Sequence, residues 1–264
     1  MIGFIGSGNM ASAIISGLVS GGKFNGSDIA VFDICTEKAE EISEKLSLRL
    51  MKSEKEIAAE CDTVVLAVKP DVFPALLEKI GEELKKNDPL IISIAAGKTT
   101  EFIGSLLPYT PRLIRIMPNI NAKVQAAISA FCGNERAADA DKEFVLGFCE
   151  GFGRGIEIEE KKFSIYSAIG GCSPAFAFMF IDSLARAAVK NGMTKAEALE
   201  TAAQAVLGSA KLILESDEHP WKLVDAVCSP GGTTIEGVCS LQESGFEAAV
   251  EKAVEASYNK DKRM

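Results

Sequence analysis

The feature that most constrains the fold is a glycine-rich turn between an apolar run and an amphipathic stretch at the start of the chain. Ile2-Gly3-Phe4-Ile5 leads into Gly6-Ser7-Gly8-Asn9-Met10-Ala11, and Met10, Ala13, Ile14, Gly17 and Leu18 then fall on one helical face. G-x-G-x-x-A is weak evidence alone, but between a strand and a helix it aims backbone amides and a helix N-terminus at a pyrophosphate. Gly8 must lack a side chain for the phosphate to approach, and Ala11 keeps helix and strand close. Further near-continuous apolar runs follow at Ile29–Phe32, Thr63–Val68, Leu90–Ile94 and Leu113–Met117, with helical patterns between them, one from Thr36 as N-cap to about Leu46. That alternation predicts a parallel sheet covered on both faces.

After about Lys161 the alternation stops and helical patterns run to the end, so the expected domains are 1–160 and 161–264. Pro174 to Lys190 is apolar nearly all round, and Thr194 to Leu214 is rich in Ala with Leu199, Val206, Leu207, Leu212 and Ile213. Such helices have to be buried on every side, which about 100 residues of helix struggle to achieve alone, so a homodimer is expected. The net charge of −9 argues against a nucleic-acid partner and leaves a small molecule as the expected one. Seven widely spaced cysteines without a C-x-x-C pair read as reduced thiols rather than a metal site. With an N-terminus resembling neither a signal peptide nor a membrane span, this places the chain in the cytoplasm, off the membrane.

Asp33 ends the second apolar run, where an acidic group can accept hydrogen bonds from the adenosine ribose and repel a 2′-phosphate. Lys69-Pro70 and Ala95-Ala96-Gly97 fall at the carboxyl ends of the third and fourth runs, where open parallel sheets bind ligands. A second cluster, Ser229-Pro230-Gly231-Gly232-Thr233-Thr234, breaks one helical stretch and opens another through Ile235, Val238 and Leu241. Its amides and hydroxyls converge at a helix start, a site for a carboxylate or a plain glycine-rich cap. His219 reads as a helix-start residue before Trp221. The acid-rich runs Glu37–Glu44 and Glu157–Lys162 read as solvated faces.

Taken together, these blocks resemble the pyrroline-5-carboxylate reductase family, whose members catalyse the last step of proline biosynthesis. The resemblance spans essentially the whole chain: IGFIGSGNMA from Ile2, AVKP from Ala67, SIAAG from Ser93, RIMPN from Arg115, Pro174-Ala175, Ala205 to Ser216 with His219-Pro220, and above all SPGGTTIEG from Ser229 with Gly245-Phe246. It implies a Rossmann-type α/β domain, then an all-α dimerisation domain like the C-terminal part of 6-phosphogluconate dehydrogenase. In many members five dimers form a decamer. It implies reduction of 1-pyrroline-5-carboxylate to L-proline by NADPH or NADH, with the cofactor on Gly6, Ser7, Gly8, Asn9, Met10, Ala11, Ala67, Val68, Lys69 and Pro70, to which Asp33, Ala95 and Ala96 are added by their place at strand ends. Ser229, Gly231, Gly232, Thr233 and Thr234 would hold the substrate, with Thr234 nearest the imine nitrogen as the catalytic hydroxyl. Asp217 would be supplied to the partner subunit's pocket. No metal is implied.

The chain departs from the family at Gly171-Cys172-Ser173-Pro174-Ala175-Phe176, where a tyrosine hydroxyl is missing, and at Ile120-Asn121. Glu54 stands where an Asn often touches the ribose, and with Asp33 it tilts the expectation to NADH. A β-hydroxyacid dehydrogenase or related imine reductase is the alternative enzyme, but Cys172 to Val189 lacks the lysine that the former places there. A non-catalytic nicotinamide-sensing dimer is the alternative outside catalysis.

Overall fold

The computed structural model describes residues 1–263 and divides into two compact units, one built on Met1–Gly171 and one on Cys172–Asn259. In the first, β1 (Ile2–Ile5), α1 (Asn9–Ser20), β2 (Ile29–Phe32), α2 (Thr36–Leu46), β3 (Arg49–Leu50), α3 (Glu54–Glu60), β4 (Thr63–Leu66), α4 (Phe73–Asn87), β5 (Leu90–Ser93), α5 (Thr100–Ser105) and β6 (Leu113–Met117) alternate as expected. β7 (Ala127–Gly133), α6 (Asp139–Glu150), β8 (Gly153–Glu157) and α7 (Phe163–Tyr166) complete it.

The strands form one sheet in the order β3-β2-β1-β4-β5-β6-β7-β8. It is parallel, as the apolar runs predict, except between β6 and β7, a strand that those runs do not include. The physical reason is the Pro118–Ala126 connection, shorter than the dozen or so residues that a parallel crossover needs. One face of the sheet is closed by Ile14, Leu18, Val145, Phe148 and Phe152, with Phe148 stacked on Phe4 and set edge-on to Phe152. The other is closed by Ile57, Phe73, Leu77, Ile80, Leu84 and Ile103. Both faces being covered explains why the central strands are apolar without alternation.

Two local features differ from what the sequence pattern predicts. Thr36 is the first residue of α2 rather than its cap; Cys35 holds the cap position, and its amide donates to Asp33 Oδ1 at 2.9 Å. Glu160 is no solvated residue: it accepts from the Thr100 amide and hydroxyl, both at 2.8 Å, and from Arg115 Nη1 at 3.2 Å. The Arg115 guanidinium also lies 4.3 Å from the Phe163 ring centre. These contacts fasten the segment leaving the sheet, which continues through a π-helical turn at Ser167–Gly171, whose Gly170 carbonyl accepts from Asn119 Nδ2 at 2.9 Å.

The second unit holds α8 (Ser173–Lys190), α9 (Lys195–Glu215), α10 (Pro220–Val227), α11 (Thr233–Glu243) and α12 (Phe246–Asp261). Thr194 starts α9 with a capping box, its hydroxyl accepting from the Glu197 amide while Glu197 accepts from the Thr194 amide. α8 and α9 meet through Ala185, Ala198 and Ala202, small residues that allow close approach. Phe180 and Phe246 lie 5.9 Å apart, ring centre to ring centre. Most of the apolar surface of α8 is left uncovered, for only Pro174 and Ala185 are buried along its length. Phe178, Met179, Leu207, Leu214 and Val227 all stand exposed. By length and composition Glu160–Lys190 could also cross a membrane.

Candidate active site

The strand order reverses between β1 and β4, so the loops leaving these neighbours part and leave a crevice at their carboxyl ends. A cavity of about 500 Å³ opens there, lined by Gly6, Gly8, Asp33, Ala67, Val68 and Lys69 together with Glu54, Ile34, Val72 and Lys79. Its size suits a nucleotide. Register explains the approach of its two loops: Ile5 pairs with Leu66, and the Ala67 amide donates to the Ile5 carbonyl at 2.9 Å.

Gly6 has φ +104°, and a Cβ there would come within 2.6 Å of the Ala67 carbonyl oxygen. Gly8 has open space where its Cβ would be, and it caps α1 with no side-chain hydrogen bond. The first amides of α1 are therefore free for an anion, as a pyrophosphate requires. We expect Gly6→Ala to lose about 1–3 kcal/mol from backbone conformation alone, with the carbonyl clash adding to it. Thermal melts with and without NADH check this: the apo transition should fall and the NADH-induced rise should vanish.

The other expected cofactor residues divide by position. Asn9 is exposed at the turn, while Met10 is half-buried and Ala11 sits wholly in the core beneath it. Pro70 opens a short turn after Lys69. Ala96 is exposed, but Ala95 packs into the core, so it presents only backbone to a ligand. Ser7 is buried with its side chain turned to Asp33.

Two carboxylates lie in the cleft. Asp33 Oδ2 accepts from the Ser7 amide at 2.6 Å and the Ser7 hydroxyl at 3.0 Å, and Oδ1 accepts from the Cys35 amide. Burial pushes this carboxyl up, but the hydrogen bonds from Ser7 and Cys35 outweigh it and hold the group below its ordinary value. Glu54, the first residue of α3, is buried and pairs with Lys79 of α4 at 2.5 Å. Burial raises its carboxyl too, and the Lys79 ion pair again brings it below the ordinary value. Both groups are thus anionic near neutrality. Glu54 has its own counter-ion.

The second cluster lies in the helical unit. Pro230 and left-handed Gly231, φ +66°, occupy the middle of a turn closed by the Gly232 amide donating to the Ser229 carbonyl at 3.0 Å. A Cβ on Gly232 would come within 2.5 Å of Ser229 Oγ, so glycine lets that hydroxyl lie over the turn. Gly232 caps α11 without a side-chain bond, in contrast to Thr194 on α9, so the amides at the α11 start are open beside the exposed hydroxyls of Thr233 and Thr234. Asp217 is exposed between α9 and α10. His219 caps α10, its Nδ1 accepting from the Trp221 amide at 3.3 Å. That occupies the ring nitrogen a general base would need.

Sequence reasoning passed over Ile34 and Lys79. The signal for Ile34 was an apolar residue in a connection directly after Asp33; its side chain is 92% exposed and lines the cleft with half-exposed Val72. Lys79 carried no signal, because its partner Glu54 lies on a different helix.

A family model described as pyrroline-5-carboxylate reductase dimerisation matches residues 160–264, and one described as NADP oxidoreductase, coenzyme F420-dependent, matches residues 1–97. The chain is 40% identical over 263 residues to the pyrroline-5-carboxylate reductase of Escherichia coli (strain K12), covering 100% of this chain and 97% of the relative. Among solved structures it is similar to a pyrroline-5-carboxylate reductase from Coxiella burnetii, with a TM-score of 0.93, 32% identity and coverage of 99% and 97%. It is also similar to Plasmodium falciparum pyrroline carboxylate reductase with NADP bound, with a TM-score of 0.88, 31% identity and coverage of 99% and 97%.

Proposed function

The chain belongs to the pyrroline-5-carboxylate reductase family, and from that premise we propose how its residues divide the reduction of 1-pyrroline-5-carboxylate to L-proline, the last step of proline biosynthesis. A bound nicotinamide dinucleotide supplies the hydride. The Gly6–Ala11 turn and the α1 start hold its pyrophosphate, Ala67 to Pro70 with Ala95 and Ala96 flank its path, and Ile34 and Val72 give the purine an apolar bed. Ser229, Gly231, Gly232, Thr233 and Thr234 hold the substrate carboxylate and ring nitrogen, and Asp217 serves the partner's pocket.

The observation that carries this reading is the uncapped start of α11 behind left-handed Gly231, with two hydroxyls beside the free amides. A cyclic imine accepts hydride far better when protonated, and it is basic enough to be protonated near neutrality, so no strong protein acid is required. Fixing the carboxylate on the α11 amides sets the imine carbon in place, and orientation supplies much of the rate. The Thr234 hydroxyl accepts from the imine N–H and orients it.

The cofactor is NADH in preference to NADPH, because Asp33 places an anion in the adenosine end of the cleft, and Lys38 acts on it through space without pairing to it as Lys79 pairs with Glu54. The helical unit forms the homodimer: a second copy covers the exposed faces of α8 and α9, which accounts for the apolar Glu160–Lys190 stretch without a membrane. Dimers assemble further into a pentamer of dimers in the cytoplasm.

Steady-state rates with 1-pyrroline-5-carboxylate and each cofactor test substrate and preference together. kcat/KM should be at least about tenfold higher with NADH, a difference of 1.4 kcal/mol. Equal or better rates with NADPH would remove Asp33 from the role, and no turnover with either would remove the substrate assignment.

A further inference from the structure

We propose that Ser7 is the positioning residue for cofactor discrimination, fixing the Asp33 carboxylate so that the cleft accepts a ribose hydroxyl and rejects a phosphate. The proposal rests on the assignment of Asp33 to the adenosine ribose.

Ser7 is 4% exposed and, unlike its neighbours Gly6 and Gly8, does not line the cleft, so its side chain acts on a ligand only through another group. That group is Asp33 Oδ2, which takes both the Ser7 amide and the Ser7 hydroxyl. The Cys35 amide takes one position on Oδ1. A carboxylate offers about four acceptor positions. Three are filled from within the chain, and the one left is on Oδ1.

The consequence is a carboxylate with its torsions fixed and its charge kept. An unrestrained aspartate could swing aside to admit a phosphate or to meet a lysine. This one cannot turn without giving up bonds to Ser7, two residues into the phosphate-binding turn itself. The two halves of the dinucleotide site are thereby tied by one side chain. Of the charges around it, Lys38 acts on Asp33 through space without taking one of its acceptor positions, Glu54 is neutralised by Lys79, and Lys69 lies on the loop after β4, on the far side of β1 from Asp33.

The test is a double-mutant cycle read by binding rather than turnover. Dissociation constants for NADH and for NADPH are measured by nucleotide fluorescence on the full-length wild type, Ser7→Ala, Ser7→Thr, Asp33→Asn and Ser7→Ala/Asp33→Asn, with apo melting curves for each. Ser7→Ala keeps the backbone bond and loses the hydroxyl, so the NADPH-to-NADH ratio of dissociation constants should narrow by about tenfold, the size of one lost bond to a charged group. Ser7→Thr, which keeps a hydroxyl, should retain the wild-type ratio. In the Asp33→Asn background Ser7→Ala should change the ratio no further, since its target is gone. An unchanged ratio in Ser7→Ala, or a full effect persisting without Asp33, overturns the role of Ser7. If Asp33→Asn itself leaves the ratio unmoved, the Asp33 assignment falls. If Asp33→Asn moves it and Ser7→Ala does not, the positioning role alone falls.

Discussion

Thr234→Ala is expected to lower turnover of 1-pyrroline-5-carboxylate by one to three decades, about 1.4–4 kcal/mol of barrier. The hydroxyl stands exposed at the second position of α11, directly beside amides that no side chain caps. Removing it leaves the carboxylate site in place, so the loss should fall on kcat more than on KM, as for an interaction made mainly in the transition state. Thr234→Ser restores the hydroxyl and should recover most of the rate. Near-wild-type kcat in the alanine variant would assign proton handling and nitrogen orientation elsewhere.

Placing two glutamates on the uncovered face of the helical unit, in Met179→Glu/Leu207→Glu, should convert the proposed dimer to monomer. Both side chains are more than half exposed in the single chain, at 71% and 60%. Burying an unpaired charge in an apolar interface costs about 2–4 kcal/mol per site, roughly a 30- to 1,000-fold weaker association for each. Sedimentation velocity at micromolar protein should show a single slow species, with activity falling alongside. NADH should still bind, since its cleft is complete within the first unit. A dimer of wild-type strength would show that these helices face something else.

The sheet was legible because parallel strands buried on both faces leave uninterrupted apolar runs: Ile2–Ile5, Ile29–Phe32 and Leu113–Met117 have the bounds the runs predict. β7 and β8 were not anticipated. Gly153, Arg154 and Gly155 give β8 little apolar signal, and its burial depends on β7 beside it, which local composition does not reveal. The two glycine turns were legible for a different reason. Left-handed backbone and close approach leave glycine almost no substitute, as Gly6 and Gly231 show.

Side-chain pairing was the opaque part. Asp33, at the end of the second apolar run, lines the cleft beside the turn, but nothing local indicates that Ser7, 26 residues earlier, would claim one of its oxygens. Glu160 sits in a run of acids and lysines that looks like solvated surface. Only the return of the chain to Thr100 and Arg115 makes it an anchor.

The uncovered faces of α8 and α9 also bear on how the protein is made. The α/β unit precedes the oily helices along the chain, so a ribosome finishes a domain with its own core before releasing a surface that needs a mate. Nascent chains on one messenger emerge close together, where the local concentration favours pairing over loss to aggregation. Dilution works the other way: because assembly is second order in chain concentration, the last helices should be the first to fray as expression falls, and the measured stability of the helical half should rise with protein concentration.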